Sequence, residues 1–332
     1  MSQIIRWGIL GTGRIAKKFA SDLQYVTNVK LVAAGSRSME SAKEFAKEFP
    51  VDFLHDSYEA LAQNSEVDVI YIATPHNLHY ENTMLCLRHG KAVLCEKPFA
   101  MNTRQTREMI ALAKEKNTFL MEALWTKFLP HYQKVQQMLK EGKLGEIKSV
   151  LVNFGFVPPV PTPARMFDPA LGGGTIMDIG IYNIFIAMSV LGKPDAIEAT
   201  MTPAPTGVDE QCAVLFKYNS GAVAQLFSSF ASNLATEADI CGTAGRIRLA
   251  TRFYEPGTTI EYYPDRVDSR QIINVDKEPG FGYQYEARHV NDCLLKGLTE
   301  SPVVSFKDTL DLMELLDAVR KKAGVIYPAD VG

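Results

Sequence analysis

Along the first third of the chain, short apolar runs alternate with longer segments in which apolar residues recur every three or four positions. Residues 4–10, 30–35, 51–54, 67–73, 92–96 and 119–122 read as strands, and 16–23, 41–49, 58–62, 80–89 and 103–116 as helices. Strands alternating with helices imply a parallel sheet. Residues 1–123 are therefore expected to form a doubly wound, Rossmann-type α/β domain. Past Leu124 the pattern changes: a helical period over 130–141 gives way to alternating segments at 147–156, 197–202, 211–218, 222–229, 237–240 and 259–263. Asn219-Ser220-Gly221 joins two of these as a hairpin. The rest of the chain, 124–332, is thus expected to be an α+β domain with a large, mostly antiparallel sheet, helices at 285–296 and 307–323 covering one of its faces.

Composition narrows the function classes. With 332 residues, 46% hydrophobic and 22% charged, the chain has the make-up of a globular protein of about two domains. A formal net charge of -3 and the lack of any basic run argue against nucleic acid as a partner. Five cysteines stand singly, with no metal-ligand spacing, so neither a metal site nor a disulfide framework is expected. Scattered thiols fit a reducing cytoplasm. No stretch approaches the unbroken apolar length of a membrane span, so no membrane association is expected.

Candidate chemistry collects at the carboxyl ends of the predicted strands, where open α/β sheets bind their ligands. The first strand runs into Gly11-Thr12-Gly13-Arg14-Ile15-Ala16 and then a helix. In that setting Gly11 permits the tight turn, Gly13 lets a pyrophosphate approach the backbone, and the helix amino terminus offers N–H groups to phosphate. An NAD enzyme would carry an acid at the end of the second strand; here stand Ser36 and Arg37. A hydroxyl and a guanidinium suit the 2'-phosphate of NADP, and the missing acid favours this over reading Arg37 as a solvated residue at a helix start. Thr74, Pro75 and His76 follow the fourth strand and would lie near a nicotinamide. For His76 and His79, helix-capping and surface roles compete with catalysis. The fifth strand meets Glu96-Lys97-Pro98, either an ion pair closing the strand or a site.

A second focus lies in the other domain. Gly172-Gly173-Gly174-Thr175 precedes an apolar helix expected over 176–191, with Asp178 and Tyr182 four residues apart on one face. A carboxylate in such a helix needs a partner. Gly180 between them suggests close approach by a ligand or another backbone. Tyr182 could instead be an ordinary core tyrosine.

Together, Gly8 to Ala16, Ala73-Thr74-Pro75, Glu96-Lys97-Pro98 and Gly172-Gly173-Gly174 followed by Asp178-Ile179-Gly180-Ile181-Tyr182 resemble the Gfo/Idh/MocA oxidoreductases over nearly the whole chain. That resemblance implies a catalytic Lys97. Members usually carry a histidine where this chain has Tyr182; with residues 121–130, this departure is similar to the branch that includes dihydrodiol and NADP-linked D-xylose dehydrogenases and uses a Lys and Tyr pair. It further implies NADP as cofactor, held by Gly11 to Ile15, Ser36, Arg37, Thr74 to His76, Glu96 and Lys97. Trp125, Arg165, Asp178 and Tyr182 would bind a polyhydroxylated substrate, Pro98 would follow a cis bond, and the second-domain sheet would make a homodimer. An imine or tetrapyrrole reductase and a non-enzymatic NADP sensor are the alternatives on the same fold.

Overall fold

The computed structural model describes residues 3–264 and 269–331. Contacts divide the chain into two units: residues 1–128 with 278–310, and residues 129–277 with 311–332.

In the first unit, β1 (Ile5–Leu10), β2 (Val29–Gly35), β3 (Phe53–His55), β4 (Val69–Ile72), β5 (Ala92–Glu96) and β6 (Leu120–Ala123) pair in parallel in the order β3-β2-β1-β4-β5-β6. This is the doubly wound order, whose switch point lies between β1 and β4. The linking helices are α1 (Arg14–Asp22), α2 (Met39–Glu48), α3 (Tyr58–Gln63), α4 (His79–Arg88) and α5 (Thr103–Glu115). Ser38, Ser57 and Asn102 cap α2, α3 and α5, each side-chain oxygen accepting a backbone N–H three residues on. All four residues of β4 are buried, as a strand covered on both faces requires.

The second unit opens with α6 (Pro130–Lys140). Its sheet is built from β7 (Ile147–Gly155), β8 (Ala196–Pro203), β9 (Asp209–Lys217), β10 (Val223–Ser229), β11 (Glu237–Gly242), β12 (Arg246–Ala250), β13 (Thr259–Tyr263) and β14 (Gln271–Ile273), ordered β14-β13-β12-β11-β7-β10-β9-β8. Only β7 and β10 run parallel. The inward face carries Val152, Phe154, Phe216, Leu226, Ile240 and Leu249, all buried. Against it packs α7 (Ile181–Leu191), preceded by a π-helical turn, Ile176–Gly180. The single α-helix expected over 176–191 is thus divided at Gly180.

Of the last two helices, the first differs from expectation and the second meets it. α8 (Tyr283–Leu295) belongs to the first unit, not to the sheet of the second. The Asp22 carboxylate, at the end of α1, accepts the backbone N–H groups of Phe281 and Tyr283 at 2.9 and 2.8 Å and so closes the amino end of α8. Trp7 Nε1 donates to Asn291 Oδ1 on α8 at 2.9 Å. α9 (Phe306–Ala323) does reach the inner face of the second sheet, where Val319 borders a small cavity with Val214 and Leu226.

One core carboxyl of the first unit is energetically exposed to pH. Glu122 on β6 is buried and accepts the Phe99 N–H at 3.2 Å. Burial pushes its pKa from 4.5 up to about 7. A carboxyl raised in this way keeps its proton in the folded state after the unfolded chain has released its own, so stability declines as pH climbs through that interval. The full decline corresponds to about 3 kcal/mol. Glu122→Gln should abolish this share of it, making the variant melt higher than the parent at pH 8 but not at pH 5. Thermal scans that run parallel at every pH would show that the folded state ionises Glu122 as readily as the unfolded chain does.

Candidate active site

In the first unit a cavity of about 650 Å3 lies against the β1-α1 turn, bordered by Gly11, Thr12, Gly13, Ser36, Arg37, Thr74 and Pro75. Gly11 has φ +92, and a Cβ there would stand 3.1 Å from the Ala73 carbonyl oxygen. At Gly13 an added Cβ would meet nothing within 4 Å, and no side chain caps α1. The amino end of α1 therefore presents its N–H groups to the cavity, a fit for phosphate oxygens. Ser36 is buried and Arg37 exposed at the end of β2. Lys17, Glu40, Ser41, Glu44 and Tyr58 also border the space and were not singled out from sequence. Arg14, Ile15, His76, Glu96 and Lys97 do not line it.

Lys97 follows β5 and precedes a cis peptide bond to Pro98. Glu96 serves the strand end: the Tyr71 hydroxyl donates to Oε1, and the Lys97 N–H donates to Oε2 at 3.1 Å. Burial raises the Glu96 pKa against the pull of these bonds and of the Lys97 charge. Tyr71 itself is locked by Phe19, stacked 3.8 Å away between ring centroids. His79 is neither a cap nor a surface group. Its ring is fully buried, with Nδ1 2.7 Å from the Pro98 carbonyl and Nε2 2.9 Å from the Thr74 carbonyl. Burial lowers its proton affinity while the two carbonyls act to raise it, and the ring ties the turn after β4 to the loop after Lys97. The Trp125 ring lies on Tyr283, centroids 4.6 Å apart and planes 11° from parallel.

In the second unit, Gly172 and Gly174 take positive φ and lead into the π-turn. Such turns recur at functional sites. Asp178 stands within it and has the partner its position demands, Arg165 Nη1 at 3.5 Å from Oδ2. Gly180 meets backbone and side chain: a Cβ would stand 3.3 Å from the Thr175 carbonyl oxygen and 3.4 Å from Ser228 Oγ. Tyr182, in the first turn of α7, is buried, its ring centroid 5.0 Å from Tyr254 and 6.0 Å from Phe154. Tyr254 follows two consecutive residues with positive φ, Thr251 and Arg252, and His131 contacts the Phe253 carbonyl at 2.9 Å. Tyr254 and Asp209 are site residues that sequence reasoning missed. Burial pushes the Asp209 pKa up to about 6. Chemically, the second unit supplies a phenol and a paired carboxylate, and the first an ammonium at a strand end.

Comparisons with known proteins identify the family. Residues 5–124 match the oxidoreductase family with an NAD-binding Rossmann fold, and residues 132–248 match the GFO/IDH/MocA C-terminal domain. The chain is 38% identical over 331 residues to trans-1,2-dihydrobenzene-1,2-diol dehydrogenase of Xenopus laevis, covering 97% of this chain and 99% of that protein. The human enzyme of that name is 36% identical, covering 98% and 99%. Among solved structures, a 3-ketoreductase from Actinomadura kijaniata in complex with NADP and TDP-benzene superposes with TM-score 0.86 at 28% identity, covering 98% of this chain and 99% of that one. The aldose-aldose oxidoreductase of Caulobacter crescentus has the same fold, with TM-score 0.88 at 24% identity, covering 97% and 98%. With a glycine turn, Glu-Lys-Pro strand end and Asp-x-Gly-x-Tyr segment all in their places on this fold, the chain belongs to the Gfo/Idh/MocA oxidoreductase family as a nicotinamide-dependent dehydrogenase or reductase.

Proposed function

We propose that the protein is an NADP-dependent oxidoreductase that interconverts a secondary alcohol and a carbonyl on a small polyhydroxylated substrate of the trans-dihydrodiol or aldose type. The observation that carries this reading is the presence of Lys97 after Glu96 and of Tyr182 four residues after Asp178 in a chain 38% identical to a trans-1,2-dihydrobenzene-1,2-diol dehydrogenase. A nicotinamide, when bound, would supply the hydride acceptor or donor. Tyr182 takes the alcohol proton in oxidation and returns it in reduction. The Lys97 ammonium would hold the reacting oxygen, since a cation stabilises the oxyanion character that develops there. Asp178, with Arg165, binds a neighbouring hydroxyl. Around Tyr182 the second unit pairs an aromatic surface, Phe154 and Tyr254, with the polar Arg165–Asp178 pair. A ring bearing adjacent hydroxyls matches both.

For the cofactor, Ser36, Arg37 and Ser41 offer hydroxyls and a cation to a 2'-phosphate, with Lys17 bordering the same space. Arg37→Ala should raise the KM for NADP(H) about tenfold or more and leave that for NAD(H) within about twofold. Equal losses with both cofactors would make Arg37 structural.

For the chemistry, Tyr182→Phe and Lys97→Met should each lower kcat by about 10² to 10⁴ on trans-dihydrodiols, aldoses or dicarbonyls, whichever of these the parent turns over. The double variant should be little worse than either single one, because the pair acts as one unit. A loss under about tenfold for Tyr182→Phe would return it to an ordinary core tyrosine.

The protein is further proposed to be a homodimer through the outer face of the second sheet. The sequence argument needs narrowing, because Val214, Phe216, Ala224 and Leu226 point inward. What remains outward is a central strip including Leu151 and Val223, 39% and 38% exposed, flanked by the Arg248–Asp239 and Arg270–Glu261 ion pairs. Sedimentation velocity at micromolar concentration should give a two-chain species; a monomer would exclude this assembly.

A further inference from the structure

The turn that carries Asp178 is held by side chains remote from it in sequence. Asp209, at the start of β9, is fully buried, and its Oδ2 accepts both the Thr175 hydroxyl and the Ile176 N–H at 2.6 Å. Ser228 on β10 donates to the same Thr175 hydroxyl at 3.0 Å. Tyr327, beyond α9, donates its hydroxyl to the Gly173 carbonyl at 2.5 Å. That tyrosine is fixed in turn: its N–H donates to Asp330 Oδ2 at 2.9 Å, Asp330 also accepts from Arg320 Nη1 at 2.7 Å, and the buried Arg320 guanidinium lies 5.0 Å from the Tyr327 ring centroid. Gly174 completes the fit. A Cβ on it would collide with the Asp209 carboxylate and stand 3.3 Å from the Tyr327 hydroxyl.

A buried carboxylate is a costly way to close a turn. Asp209 has no cation beside it in any ion pair among the described residues, and its Oδ1 has no hydrogen-bond partner. Stability alone would be served better by a neutral group. What ionised oxygen adds is short, charge-assisted bonds of fixed direction. The same glycines also carry the loop before them, since Gly173 and Gly174 donate their N–H groups to the carbonyls of Asp168 and Met166 at 2.9 and 2.8 Å. One scaffold therefore sets both members of the Arg165–Asp178 pair, and Tyr182 one turn later.

We propose that Asp209 and Tyr327 are positioning residues: gripping residues 173–176 together, they fix the π-turn so that Asp178, Arg165 and Tyr182 meet the substrate in one register. The inference rests on the roles proposed above for Tyr182 and Asp178. Groups that must be held within a fraction of an ångström lose about 10²-fold in rate when displaced by 1 Å.

The test uses the full chain with Tyr327→Phe, Asp209→Asn, and the pair Thr175→Val and Thr175→Ser. Amide hydrogen exchange over 173–180 should quicken at least tenfold in Tyr327→Phe with the rest of the second unit unchanged. In the same variant kcat should fall about 10²-fold, while the dissociation constant for NADPH, read by fluorescence, stays within twofold. Thr175→Val should lose activity, and Thr175→Ser, which keeps the hydroxyl on Asp209, should retain it. If Asp209→Asn does not fold, Tyr327→Phe and the Thr175 pair decide. Unchanged exchange in Tyr327→Phe, or quickened exchange with unchanged kcat, overturns the proposal. Full activity in Lys97→Met would instead overturn the Lys and Tyr chemistry, and the exchange measurement would still judge the scaffold.

Discussion

A parallel strand covered on both faces has nowhere to put a charge except its end, and β5 places a carboxylate and an ammonium there in succession. The rest of the first unit is arranged around that constraint. Glu96 emerges from a strand whose other residues are buried, so its oxygens are taken by the Tyr71 hydroxyl and the Lys97 N–H. Tyr71 can donate only because Phe19 fixes its ring. Burial works against the charge at three carboxyls of this unit: Glu96, Glu122 and Glu286, whose oxygens have no hydrogen-bond partner among the described residues, are all raised.

The second unit sets two aspartates in contrasting surroundings at one turn, Asp178 within it and Asp209 gripping it from the start of β9. Asp178 keeps some exposure and faces a guanidinium. Asp209 is sealed from solvent and grips N–H and O–H donors. Divergent environments of this kind separate an acid that touches substrate from one that builds the wall behind it.

Much of this was legible in the sequence. The first sheet followed from alternation of short apolar runs with helical periods, and Glu-Lys-Pro and Asp-x-Gly-x-Tyr were readable because each is contiguous. What escaped notice is non-local. Asp209 is 34 residues from Thr175, and Tyr327 is 154 from Gly173, with no spacing to link them. β12 was missed because its outward arginines, 246 and 248, made a true alternation look like charged loop. The π-turn has the composition of an α-helix, and a single extra residue per turn leaves no mark on an apolar run. α8 has an amphipathic pattern that states only that one face is buried, not which sheet buries it.

That last point has a consequence for how the chain matures. The indole N–H of Trp7 and the carboxylate of Asp22, both buried, find their partners in residues 281–291, which follow residues 129–277 of the second unit in sequence. On a ribosome the first sheet would be complete in sequence by Ala123, yet these two polar groups would stay unanswered until more than 150 further residues had emerged. The nucleotide-binding unit is thus a structure interrupted in the making, one whose last stitch is sewn only after most of its neighbour, residues 129–277, has been spun out.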